Sequence, residues 1–88
     1  MSKDSSFWHN RQTFSVWLAI EGDKPTKRVV YHSLYNFGTE SLRELCYRLW
    51  PDGRTPDNQK LSKANWKQLG KVYDKIIFGI ENKYELFP

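Results

Sequence analysis

Asn10-Arg11-Gln12-Thr13-Phe14-Ser15-Val16-Trp17-Leu18-Ala19-Ile20-Glu21-Gly22 is the stretch whose reading separates two folds. At about 100° per residue, Phe14, Trp17 and Leu18 fall at i, i+3 and i+4, the spacing of a buried helical face. Asn10 suits an N-cap and Gly22 a C-terminal stop. That reading predicts a helix from about Arg11 to Glu21. With a period of two, Phe14, Val16, Leu18 and Ile20 instead line one side of a half-buried strand.

The next segment has the same ambiguity. After the turn-rich Gly22-Asp23-Lys24-Pro25, a helix over Thr26–Phe37 puts Val30, Leu34 and Phe37 on one face, with Gly38 as its stop. As a strand it would close a hairpin with the first segment, and Val29, Val30, Tyr31 and Tyr35 would suit that. The punctuation favours helix in both places.

The remainder reads as helical on either view. Thr39 is placed to cap a third helix in which Leu42, Leu45, Cys46 and Leu49 share a face, ended by Pro51. Asp52 to Lys60, with Gly53 and Pro56, is a surface loop of the kind that often carries contacts. Ser62 is placed to cap a fourth and longest helix, Lys63 to Ile80, whose apolar row is Leu69, Val72, Tyr73, Ile76 and Ile80. Gly70 and Gly79 each cost it on the order of 1 kcal/mol relative to Ala. The expected fold is mainly α, a small single-domain bundle of about four helices over residues 1–88, with 1–8 and 82–88 loose. The alternative is α+β, with an N-terminal β-hairpin packed on the last two helices.

Composition bounds the function. Hydrophobic residues make up 39% and aromatics 16% of the 88 residues, too many rings for a disordered tail. Fourteen Lys and Arg against ten Asp and Glu give a net charge of +4, a mild bias toward acidic partners. Cys46 is the single cysteine, which excludes an intrachain disulfide and fits a reducing, cytoplasmic interior. Met1 to Ser6 lacks the apolar run of a signal peptide or membrane anchor.

Lys63, Lys67, Lys71 and Lys75 recur at every fourth position opposite the apolar row of the fourth helix. Such a stripe grips a nucleic-acid backbone or an acidic protein surface, or it serves only as a solvated face. Phe78, near the centre of the stripe and one turn past Lys75, suits base stacking or an interface anchor if the C-terminal tail leaves it uncovered. Lys24, Lys27 and Arg28 form a second basic cluster at the Pro25 turn, and Arg54 and Lys60 flank the long loop. Trp17 and Trp66 read as core or core edge, whereas Trp50 and Trp8 read as interface candidates. His9 and His32 lack the company that a metal needs. Cys46, on an apolar face, reads as an inert packed thiol. No catalytic triad, carboxylate pair or phosphate-cradling loop stands in the sequence, so neither an enzyme nor a cofactor is expected.

Asn10-Arg11-Gln12-Thr13-Phe14, followed by Val16, Leu18 and Ile20, resembles the opening Asn-Arg-x-Thr-Trp-x-Val-x-Leu-Trp-Ile of a family of small uncharacterised phage and plasmid proteins. Ala64-Asn65-Trp66-Lys67-Gln68-Leu69 resembles that family's closing Val-Asn-Trp-x-Glu-Ile. Together they cover about a quarter of the chain. Phe14 stands for Trp, Glu21-Gly22-Asp23 for Asn-Asp, and Gln68 for Glu. The resemblance implies a mostly helical fold and an origin on a mobile element, and no activity. It favours a non-enzymatic inhibitor of a host protein or nucleoprotein complex, such as an anti-CRISPR or other anti-defence factor, acting by occlusion. The alternative from charge is sequence-nonspecific nucleic-acid binding through Lys63, Lys67, Lys71 and Lys75. Neither reading involves a membrane or a small-molecule substrate.

Overall fold

Asn10 and Asp23 decide between the two folds. The Asn10 side chain accepts from the Thr13 amide and that of Asp23 from the Thr26 amide, so each begins a helix where a hairpin would need a strand. In a computed structural model describing residues 7–79, the helices are α1 (Arg11–Glu21), α2 (Lys24–Phe37), α3 (Leu42–Leu49) and α4 (Trp66–Phe78). Two 3₁₀ turns, Thr39–Ser41 and Leu61–Lys63, lead into α3 and toward α4. No strand forms among the described residues, and the fold is the mainly α bundle rather than the hairpin alternative.

Each helix gives the core one fully buried pair at i, i+4: Val16 and Ile20, Val30 and Leu34, Leu42 and Cys46, Leu69 and Tyr73. Leu61, from the second 3₁₀ turn, joins them. This spacing stacks both side chains over one face of their helix.

Several boundaries and faces differ from the sequence reading. The buried face of α1 is Thr13, Val16 and Ile20, about a third of a turn from Phe14, Trp17 and Leu18. Leu18 is exposed, and Phe14 and Trp17 stack at the core edge with centroids 6.5 Å apart. The cause is polar: Thr13 and Ser15 are buried because their hydroxyls have partners, Asn10 and Asn65 for Thr13 and Thr55 for Ser15. Phe37, expected inside, is exposed at the end of α2. There the chain reverses at Gly38, whose φ of 87° is open to glycine and strained for other residues.

Thr39 does not cap α3. It lies in the 3₁₀ turn and donates to Asp74. The fourth helix begins at Trp66 rather than Lys63, because extended backbone at Ala64 breaks the turn at Leu61–Lys63 and Asn65, not Ser62, accepts from the Gln68 amide. Gly79 ends it. Ile80 and the tail with Leu86 and Phe87 lie outside the described residues. Phe7 and Trp8, expected to be loose, are packed: Trp8 is buried, with Phe7 edge-on to it and Trp17 tilted against it.

The starts of α1 and α4 hold each other. The Asn65 amide donates to Thr13 Oγ1 at 2.7 Å, and Asn10 Nδ2 donates to the Lys63 carbonyl at 2.8 Å. Gln68 Oε1 accepts from the His9 amide, and its Nε2 donates to the Phe7 carbonyl. In a capping box the side chain at the third helical position turns back to its own N-cap. Here Thr13 and Gln68 occupy that position, and each serves the backbone at the head of the other helix, Thr13 while also donating to its own cap Asn10.

At the far end of α1, Glu21 accepts from Tyr31 and Tyr73, both at 2.9 Å, and pairs with Lys27 at 3.4 Å. Burial first, then the Glu21 carboxylate, hold both phenols well above their ordinary range. Burial pushes the Cys46 thiol up to about 12.

Thr13→Val leaves the Asn65 amide without its acceptor and should cost about 1–3 kcal/mol, lowering Tm by about 4–8 °C for each kcal/mol, with Thr13→Ser milder. Circular dichroism melts measure both. Tyr31, Tyr73 and Cys46 have raised values in the folded state, so the stability they confer is present below their unfolded values of about 10 for Tyr and 8.5 for Cys. It is lost as pH climbs through the folded values. Phenolate absorbance from Tyr31 and Tyr73 should therefore rise together with loss of helix above about pH 10.

Candidate partner-binding face

Successive residues of α4 separate a core side from a basic side. Leu69 and Tyr73 are fully buried, while Lys67, Lys71 and Lys75 are exposed and form no ion pair among the described residues. At 1.5 Å per residue, these lysines stand about 6 Å apart along the helix. Lys63, read as the first of the row, lies on the preceding 3₁₀ turn, so the row on α4 has three members. Phe78 closes the helix and is 92% exposed.

Residues outside the expected contact set border the row. His9 shares a small depression with Lys67 and Lys71, and Arg43 of α3 shares another with the same two lysines. Glu40 and Asp74 line the second depression, so the face is predominantly but not uniformly basic. Proximity across the fold brings His9 and Arg43 here, and no local spacing signals it.

The other expected contact residues have different surroundings. Lys27 pairs with Glu21 and lies over the Tyr31 ring at 5.5 Å, so its charge is engaged inside the fold. Lys24 is exposed at the first position of α2, and Arg28 is exposed one turn on. Arg54 is half-buried and its guanidinium is directed to Asn58, while Lys60 is exposed and bridges Arg54 through the backbone. The loop carrying them is tied down, with Thr55 buried against Ser15 and the Leu61 amide donating to the Gly53 carbonyl. Trp50 is half-buried against the core, as are Trp17 and Trp66, and the Trp66 indole donates to the Leu61 carbonyl.

Beside the lysine row runs an open groove of about 860 Å³. Phe7, Trp8, Trp17, Val72 and Ile76 supply its apolar lining, and Lys71, Lys75 and Asp74 its charged lining. Gln68 reaches the same space, so the contacts that strap residues 7–9 onto α4 also build the wall of the groove. Cys46 is buried away from solvent with a raised thiol, which disfavours the nucleophilic thiolate. Among the described residues, no three His, Cys, Asp or Glu side chains gather in a metal-binding group, and no helix is long and apolar enough to cross a membrane.

Because the three α4 lysines carry no native ion pair within the described residues, Lys67→Glu with Lys71→Glu should leave stability within about 0.5 kcal/mol per site, as read by denaturant titration. A larger loss would place these side chains in the scaffold rather than on a binding face. Searches against protein-family models, curated proteins and solved structures return no match to this chain.

Proposed function

We propose that the protein is a non-enzymatic binding domain that engages a host protein or nucleoprotein complex through the basic side of α4 and inhibits it by steric and electrostatic occlusion. The observation that carries this reading is the juxtaposition of Lys67, Lys71 and Lys75, exposed and without ion pairs among the described residues, with an apolar groove along the same helix. Exposed lysines alone fit a solvated surface. An adjoining aromatic recess gives them the anatomy of an interface, with apolar anchors at the centre and charge at the rim. The setting on a phage or plasmid, with an anti-defence role such as anti-CRISPR, rests on the resemblance of residues 10–14, Val16, Leu18, Ile20 and residues 64–69 alone.

Sequence-nonspecific nucleic-acid binding is the second reading, and Phe78 is the observation in its favour. A ring 92% exposed and three residues past Lys75 has the position of a stacking platform at the end of a phosphate-binding row. Three phosphate contacts on duplex DNA would make affinity fall about 40-fold between 50 and 200 mM salt.

The deciding experiment is capture of partners from bacterial lysate by wild-type protein and by the Lys67→Glu, Lys71→Glu variant, with and without nuclease, beside anisotropy titrations on labelled mixed-sequence DNA. The proposal expects a protein partner that survives nuclease and is lost with the variant. Capture abolished by nuclease, with salt-sensitive DNA binding, would replace it with the second reading. Capture indifferent to the charge reversal would remove α4 from the interface.

A further inference from the structure

The groove beside α4 has a particular chemistry. Its lining combines two aliphatic side chains one helical turn apart, Val72 and Ile76, with the indoles of Trp8 and Trp17. Phe7, 62% exposed, stands edge-on to Trp8 at 5.0 Å and also lines the groove. Lys71 and Lys75, themselves one turn apart, line the same groove.

We propose that this groove is a docking site for an acidic amphipathic helix of a protein partner, its apolar residues against Trp17, Val72 and Ile76 and its carboxylates on Lys71 and Lys75. The inference rests on the protein-binding reading above and names the partner's chemistry. Complementarity of charge and shape supports it. Carboxylates at i and i+4 on a docked helix are spaced about 6 Å, the same rise that separates Lys71 from Lys75. Apolar residues at i, i+3 or i+4 on its adjoining face would follow the matching repeat of Val72 and Ile76, the usual mode of a helix in a groove.

The same details disfavour a nucleic acid in this groove. Trp8 is 7% exposed, with Phe7 and Trp17 packed on it, so its ring has little free surface for a base. Val72 and Ile76 have no π surface. Asp74 also lines the groove, with its carboxylate held by Thr39 Oγ1 at 2.8 Å, and would repel a phosphate backbone. Beside a helix that presents carboxylates only to Lys71 and Lys75, that charge is tolerable.

The test is a selection of displayed random 16-residue peptides on the full chain, followed by titration of the enriched peptides with tryptophan fluorescence and anisotropy as readouts. Wild type, Phe7→Ser and Lys71→Glu with Lys75→Glu are compared, since all three positions are exposed and circular dichroism verifies that each variant folds. Enriched peptides should carry apolar residues at i and i+3 or i+4 beside two acidic residues one turn apart, perturb tryptophan emission, and lose about tenfold or more in affinity to each variant. Acidic peptides without apolar anchors, bound equally well by Phe7→Ser, would overturn the groove and leave the lysine face standing. The groove proposal also fails on no enrichment, or on self-association that Phe7→Ser abolishes, which would assign the groove to a second copy. Quenching by oligothymidylate in place of peptide would overturn both the groove and the protein-binding reading.

Discussion

An α-helix leaves its first four amides without an acceptor inside the helix, and in this chain two helices meet part of that demand jointly. Asn10 and Asn65 each cap their own helix, while Thr13 and Gln68 take up backbone donors at the head of the opposite one. The result is a polar junction with a fixed rotation for α1. Thr13 must face inward to reach the Asn65 amide, which puts Val16 and Ile20 in the core and leaves Phe14 and Trp17 at its edge. Through Gln68 the junction also lays Phe7 and Trp8 along α4, and that makes the groove.

The opposite end of α1 is tied by different chemistry. A carboxylate in the last turn of a helix opposes the helix dipole, yet Glu21 sits there half-buried. Two phenolic hydroxyls and the Lys27 ammonium offset that cost by supplying hydrogen bonds and an opposite charge. Tyr31 and Tyr73 then meet edge to face at 5.9 Å, so a single carboxylate holds the C-terminal end of α1 to both α2 and α4. With both ends fastened, α1 has little freedom to turn, and the short apolar core suffices between them.

Helix content was legible in the sequence because the caps are local. Asn10, Gly22, Gly38 and Pro51 punctuate the chain within a few residues of the ends they mark. Residues whose burial depends on a distant partner were not legible. Thr13 and Ser15 look like surface positions until Asn65 and Thr55 are placed beside them, and reading them as polar turned the predicted face of α1 toward Leu18. The lysine row was visible by spacing but overextended at Lys63, since nothing local to Ser62 reveals that Asn65 is the better cap. Arg43, His9 and the groove arise only from tertiary packing. Asn10, Thr13, Asn65 and Gln68, which lie in the stretches compared with phage and plasmid proteins, are occupied in the polar junction, so their presence is accounted for by the fold.

The polar junction joins positions 52 to 61 residues apart in the chain. During synthesis, at about 5–20 residues per second, about 2–9 s pass between the addition of Glu21 at the end of α1 and that of its partner Gln68. Until then the Thr13 hydroxyl has only Asn10 as a partner and the indole of Trp8 only Phe7 and Trp17, and the local cap at Asn10 favours helix over the extended form that the alternating sequence also permits. The order of synthesis thus places the decision between two secondary structures before the contacts that make it permanent.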